Sequence, residues 1–124
     1  MPEACFPDFV TKSSGIRQQV GNTAMVRDTS GGKPRFDLLI PEGIPYAGQF
    51  LTRWALLLER GARLYGERNW EAGEYPEAYD RARESAFRHL MQWMCGETDE
   101  DHAAACAFNI AAAEFYRAKT APGA

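Results

Sequence analysis

The sequence predicts an all-α fold of three main helices behind an irregular N-terminal arm. Three observations lead there. Apolar residues recur at helical spacing in three stretches beyond residue 46. Glycines stand where the first two of those stretches stop. One short apolar run reads as a strand, but no second convincing strand exists to pair with it.

Residues 1–32 carry no sustained period, and Ser13-Ser14-Gly15 and Thr29-Ser30-Gly31-Gly32 are loop chemistry. This arm is expected to be irregular or partly extended. The helical domain is expected over 33–119, with a flexible tail at 120–124. Phe36-Asp37-Leu38-Leu39-Ile40 is closed by Pro41-Glu42-Gly43-Ile44-Pro45. Lacking a partner strand, it is expected as an extended segment laid across helices.

The first helix is predicted over 47–65, from Leu51, Trp54/Ala55, Leu58, Ala62 and Tyr65, with Gly66 in the C′ position. Gly61 inside it costs up to ~1 kcal/mol against Ala, which implies a close packing contact there. The second helix is predicted from Pro76 to about residue 95. Glu74 and Glu77 lie at its positive end, and Tyr79, Ala82, Ala86, Leu90 and Trp93 or Met94 form its stripe. For the third, Thr98 is the expected N-cap, with Asp99, Glu100 and Asp101 in the first turn and the end near residue 119. Ala104, Phe108, Ala111 and Phe115 make one stripe, and His102, Cys106, Asn109 and Ala113 a second. The short link between helices two and three implies an antiparallel pair. A thin bundle with so small an apolar face on helix three is expected to be completed by a second subunit, as a homo-oligomer.

Length and composition fit one soluble globular domain: 124 residues, 45% hydrophobic, 25% charged. No apolar run approaches the roughly 20 residues that span a bilayer. Met1-Pro2-Glu3-Ala4-Cys5 has no basic segment leading into an apolar one, so no signal peptide is expected. The net charge of −3 carries no electrostatic footprint for nucleic acid or an anionic membrane. Three dispersed cysteines, Cys5, Cys95 and Cys106, form no CxxC pair or zinc spacing. They are expected as small core side chains in a reducing cytoplasm.

The densest chemical cluster is Glu97-Thr98-Asp99-Glu100-Asp101-His102. Carboxylates at helical spacing suit a hard cation such as Mg²⁺, and equally suit the dipole of a first helical turn. Glu59 lies at the edge of an apolar stripe, one turn from Arg63, so a metal ligand and an ordinary i,i+4 ion pair are both open. His89 sits beside Ala86 and Trp93, either as a core hydrogen-bonder or as a functional group. His102 shares its stripe with Asn109, and buried polar groups of that kind need partners. Lys33-Pro34-Arg35 after two glycines is a cationic loop suited to phosphate. Walker A, GxGxxG, GxSxG and HExxH are all absent.

Four phrases, in order, resemble one phage family. They are Gly32-Lys33-Pro34-Arg35-Phe36-Asp37-Leu38, Gly61-Ala62-Arg63-Leu64-Tyr65-Gly66-Glu67-Arg68-Asn69-Trp70-Glu71, Ser85-Ala86-Phe87-Arg88-His89-Leu90, and Gly96-Glu97-Thr98-Asp99-Glu100-Asp101-His102-Ala103-Ala104-Ala105. The likeness covers about residues 27–117 and is to the dATP/dGTP diphosphohydrolase-like proteins of bacteriophages, a branch placed with the MazG-like all-α pyrophosphohydrolases. The resemblance implies a MazG-like helical bundle, often oligomeric, acting in the cytoplasm of an infected bacterial host. It implies cleavage of a (deoxy)purine nucleoside triphosphate to monophosphate and pyrophosphate. Mg²⁺ or Mn²⁺ on helix carboxylates would bind the phosphates and activate water, and Arg and Lys would neutralise developing charge.

MazG-like enzymes carry EExxE on one helix and ExxD on the next. No EExxE occurs here, and the position of the related proteins' glutamate pair reads Thr52-Arg53. Glu77-Ala78-Tyr79-Asp80 is a literal ExxD outside the resembling phrases. The expected metal set is therefore Glu59 across from Glu97 and Asp101. Catalysis is expected from Glu59, Asp101, His102 and His89. Lys33, Arg35 and Arg63 are expected on the phosphates, Trp70, Tyr65 or Phe36 on the base, and Asn69 on base or sugar. Two alternatives remain open: a module that binds nucleotide without cutting it, and a helical protein-interaction protein.

Overall fold

The computed structural model describes residues 17–19, 26–28 and 31–120. They fall in two compact units, divided between Leu39 and Ile40. In the first unit, β1 (Arg17–Gln19) pairs antiparallel with β2 (Val26–Asp28), Gln18 opposite Arg27. Phe36–Leu39 forms a 3-10 turn, in which the Leu38 N–H donates to the Arg35 carbonyl at 3.0 Å. The expected extended segment is thus a helical turn. With no partner strand, the backbone satisfies itself locally.

The second unit is all-α. A 3-10 turn (Tyr46–Gly48) leads into α1 (Phe50–Tyr65). The Gln49 side chain bridges this entrance, donating through Nε2 to the Pro41 carbonyl at 3.0 Å and the Ile44 carbonyl at 2.8 Å. Gly66 ends α1 at φ 104°, in the region open to glycine, and its N–H donates to Ala62 O. A 3-10 turn (Asn69–Ala72) precedes α2 (Glu77–Met94), and α3 (His102–Ala118) follows a short link. Pro76 stands one residue ahead of α2, as its N-cap.

The N-cap of α3 is Asp101 rather than Thr98: its side chain accepts from the Ala104 N–H at 3.1 Å. The preceding acids lie in the link, outside the helix. Asp101 wins because it also has a cationic partner, described below.

Helices α2 and α3 are antiparallel: Ala82 packs with Ala113 and Tyr116, while His89 meets His102 at the other end. The core is made of Ala82, Ala112, Ala113 and Tyr116, with Trp70, Ala78, Tyr79, Phe108 and Phe115 packed against it. Alanines on both faces let the backbones approach closely. Trp70 meets Phe108 and Phe115 edge-to-face, at 5.2 and 5.3 Å between ring centroids. The Tyr116 hydroxyl donates to the Trp70 carbonyl. Lys119 Nζ donates to the carbonyls of Glu71 and Gly73 at 3.0 and 2.8 Å. Gly73 is where the chain passes closest: a Cβ there would lie 2.7 Å from the Ala78 Cβ and 2.8 Å from Tyr116 Cε1.

Other expectations are corrected. A Cβ on Gly61 would meet nothing within 4 Å, so no close contact explains that glycine. The α2 stripe is buried only at Ala82, Ala86 and His89, whereas Leu90, Trp93 and Met94 stay exposed. On α3 the buried set includes Tyr116, which the expected stripes left out. Cys95 is exposed and Cys106 half-buried, both as free thiols, so Cys95 is no core residue; Cys5 lies outside the described residues. No helix among the described residues is long and apolar enough to cross a membrane.

Candidate functional site

A cavity of about 710 Å³ opens in the helical unit. Its walls are the C-terminal half of α1, the segment from Gly66 to Glu71, His89 of α2, Glu100 of the link, and Ala105, Phe108 and Asn109 of α3. The size suits a small organic ligand. Gly61 faces this space, which accounts for the open room around it. Tyr65 stands at the cavity, strongly exposed. Asn109 donates its amide to the Ala105 carbonyl at 2.8 Å, which orients it. The wall carries four carboxylates, Glu59, Glu67, Glu71 and Glu100, and two guanidiniums, Arg60 and Arg68. Arg68 is held by Glu71 at 2.7 Å.

Behind the cavity runs a chain of three polar side chains. His89 Nδ1 lies 2.9 Å from His102 Nδ1, and His102 Nε2 lies 2.7 Å from Asp99 Oδ1. His102 is 2% exposed, the most buried large side chain of the unit. Local structure explains the placement: His102 opens α3, so Asp99 in the link, three residues earlier, reaches back to it. The hydrogen bond from His102 holds the Asp99 carboxyl below the usual carboxylate range. Burial pushes the His89 imidazole down.

Asp101 belongs to a different contact. Arg53 of α1 grips it with both arms, Nε to Oδ2 at 2.7 Å and Nη2 to Oδ1 at 2.7 Å. That guanidinium also holds the Asp101 carboxyl below its ordinary value. The fork ties α1 to the start of α3.

The expected metal set Glu59–Glu97–Asp101 is not assembled. Glu59 forms an exposed i,i+4 pair with Arg63, at 2.9 and 3.2 Å. Glu97 accepts from Gln92 Nε2 at 3.2 Å. Asp101 has both oxygens on Arg53 and one also on the cap. Among the described residues, one trio of possible ligand atoms lies within 4.8 Å of one another: Glu97, Asp99 and His102. Mg²⁺ asks for octahedral oxygen donors, and both nitrogens of His102 are already hydrogen-bonded. This trio does not offer the all-oxygen donor set of a resident Mg²⁺.

Of the other expected residues, Tyr65, Asn69 and Trp70 line the cavity, as do Glu59 and His89. The Trp70 ring is committed to the aromatic core, so Tyr65 is the ring with a free face. Lys33, Arg35 and Phe36 belong to the first unit, where Arg35 pairs with Asp37 at 2.6 Å. Sequence reasoning named Asp99 and Glu100 within the acidic run and Asn109 beside His102 without assigning them to the site, and it missed Arg53 and Arg60. A further signal for Asp99 was its place three residues before a histidine at a helix start. For Arg53 it was a cation standing where the resembling proteins carry acid.

Residues 23–121 match a family model described as dATP/dGTP diphosphohydrolase, N-terminal. No curated protein and no solved structure matches the chain.

Proposed function

The chain belongs to the dATP/dGTP diphosphohydrolase N-terminal family, and from that premise we propose that it hydrolyses a purine deoxynucleoside triphosphate to monophosphate and pyrophosphate in the cavity beside His89. The observation that carries this reading is the composition of that cavity. It offers an exposed ring at Tyr65 for a base, amides at Asn69 and Asn109 for base edge or sugar, and guanidiniums at Arg60 and Arg68 for phosphate. Carboxylates outnumber cations on the wall, so a bare triphosphate would meet net repulsion. The form such a wall accepts is the nucleotide carrying its own Mg²⁺ or Mn²⁺, and the metal enters this reading as part of the substrate.

The chain's own residues then do the following. Arg60 and Arg68 draw the phosphates to the mouth. Tyr65 covers the base. Phe108 and Trp70 form the apolar floor that excludes bulk water. Activity in the cytoplasm of an infected bacterium is part of this proposal, supported by the phage resemblance alone. A homo-oligomer completes the reading: Phe87, Leu90, Met91 and Ile110 stand exposed on α2 and α3, and a second copy would cover them. Size-exclusion chromatography with light scattering checks this, and a monomer at micromolar concentration would remove it.

A second reading has its own support. The Arg53 fork already neutralises Asp101, as in a protein that holds nucleotide without cutting it. One experiment separates the two: pyrophosphate release from a panel of deoxy- and ribonucleoside triphosphates with Mg²⁺, Mn²⁺ or EDTA, alongside calorimetric binding. Metal-dependent release from dATP or dGTP supports the hydrolase. Binding without release supports the sequestering protein.

A further inference from the structure

The histidine pair behind the cavity is a wired arrangement, and its wiring fixes a proton position. Four ring nitrogens and one carboxylate are involved. Ionised Asp99 can only accept, so His102 must present Nε2–H to it across 2.7 Å. With its one ring hydrogen on Nε2, His102 has a bare Nδ1. The partner of that lone pair is His89 Nδ1, 2.9 Å away, so His89 must carry its hydrogen on Nδ1. Neutral His89 therefore has a bare Nε2. His89 lines the cavity, and with Nδ1 committed to His102, Nε2 is the nitrogen left to face it.

We infer that His89 is the general base of this cavity, with Asp99 and His102 as positioning residues that hold its Nε2 lone pair toward the substrate water. The inference rests on the hydrolase reading above and deepens it.

The step balances without another reagent. Water attacks the α-phosphorus and a new P–O bond forms. The bond from that phosphorus to the α,β-bridging oxygen breaks, and pyrophosphate leaves with the electron pair. The proton from water goes to His89 Nε2. The resulting imidazolium still donates through Nδ1 to His102, whose Nε2–H still donates to Asp99, so two hydrogen bonds ending on the carboxylate stabilise it. The groups facing His89 are set out on every side: Arg88 on its own helix, Asp99 and Glu100 in the link, and His102 on α3. Burial disfavours the imidazolium, so His89 is neutral and able to accept a proton at physiological pH. A purely structural histidine pair needs no carboxylate to choose the tautomer, and none that leaves a lone pair at a cavity wall.

Two measurements test this, one of which needs no turnover. Imidazole ¹⁵N NMR of the full chain near pH 7 reads each tautomer. The expected result is Nδ1–H at His89 and Nε2–H at His102; Nε2–H at His89 overturns the inference. The second is steady-state pyrophosphate release by His89→Gln and Asp99→Asn, with circular dichroism to confirm folding. His89→Gln should lose about 10²–10⁴-fold in kcat with nucleotide affinity kept. Asp99→Asn, on an exposed side chain, should lower kcat at unchanged KM and displace the acid limb of the pH profile. Wild-type kcat in either folded variant overturns the base role. Absence of turnover in the wild-type protein refutes the hydrolase reading and the base role with it, while the tautomer result still stands on the NMR alone.

Discussion

Cutting the Arg53–Asp101 fork should separate two contributions that one side chain makes. Asp101 receives two guanidinium bonds at 2.7 Å and also caps α3 through the Ala104 N–H at 3.1 Å. The side chains are 40% and 32% exposed, between the exposed and buried regimes. Exposed pairs contribute about 0.2–1 kcal/mol, and two-armed geometry puts this one near the top of that range, at about 1 kcal/mol. The cap contributes about 1 kcal/mol more. In a unit of this size each 1 kcal/mol moves Tm by roughly 4–8 °C. Asp101→Asn keeps a cap acceptor and loses the charge, so it should fall by about 4–8 °C. Asp101→Ala loses both and should fall by about twice that. Arg53→Met should match Asp101→Asn or exceed it slightly, because Arg53 also stands 5.3 Å over the Phe50 ring. The assay is thermal unfolding followed by far-ultraviolet circular dichroism. The sign with pH follows from the depressed Asp101 carboxyl. Its contribution is complete above the unfolded value of roughly 3.9 and is lost as pH falls through the lower folded value. The gap between wild type and Asp101→Asn should close in that acid window. Equal losses for Asn and Ala would refute the cap, and an unchanged Tm in Arg53→Met would refute the fork.

Two further outcomes follow from the geometry. Gly73→Ala should destabilise by about 1–3 kcal/mol, because the new methyl meets Ala78 and the Tyr116 ring below contact distance; a denaturant midpoint at or above wild type contradicts that packing. Gly61→Ala should stabilise by about 0.5–1 kcal/mol, since it sits in a helix with open space around it. Its methyl also enters the cavity, so nucleotide affinity should drop, and a higher Tm with an unaltered dissociation constant would move the ligand elsewhere.

Periodicity placed all three helices to within a few residues, because each buries a regular stripe or ends at a chemically marked stop such as Gly66. The N-cap of α3 was misplaced because Thr98 and Asp101 are equally good caps locally, and the choice fell to Arg53, 48 residues away. Glu59 had an ion-pair partner legible one turn along, and the structure uses it. Glu97 and Asp101 looked like ligands because spacing reports which side chains share a face, not which cation they meet. The histidines were singled out one by one, yet the hydrogen-bonded chain joining them to Asp99 depends on where α2 crosses α3. That crossing is set by alanine packing, which carries no chemical signature of its own. The 3-10 turn at Phe36–Leu39 was missed for another reason: four apolar-rich residues carry no period that distinguishes strand from helix.

The bonds that Tyr116 and Lys119 make to the 3-10 turn at Asn69–Ala72 have a kinetic consequence. His89 and His102 are 13 residues apart, so the α2–α3 hairpin closes over a short loop. The bonds to the carbonyls of Trp70, Glu71 and Gly73 close loops of 46 to 48 residues. Loop closure costs more entropy as the loop grows, so the short one forms first and shortens the path to the long ones. Loop entropy therefore favours the hairpin ahead of the wall that carries Asn69 and Trp70, and ahead of the Arg53–Asp101 fork, which closes a loop of 48 residues.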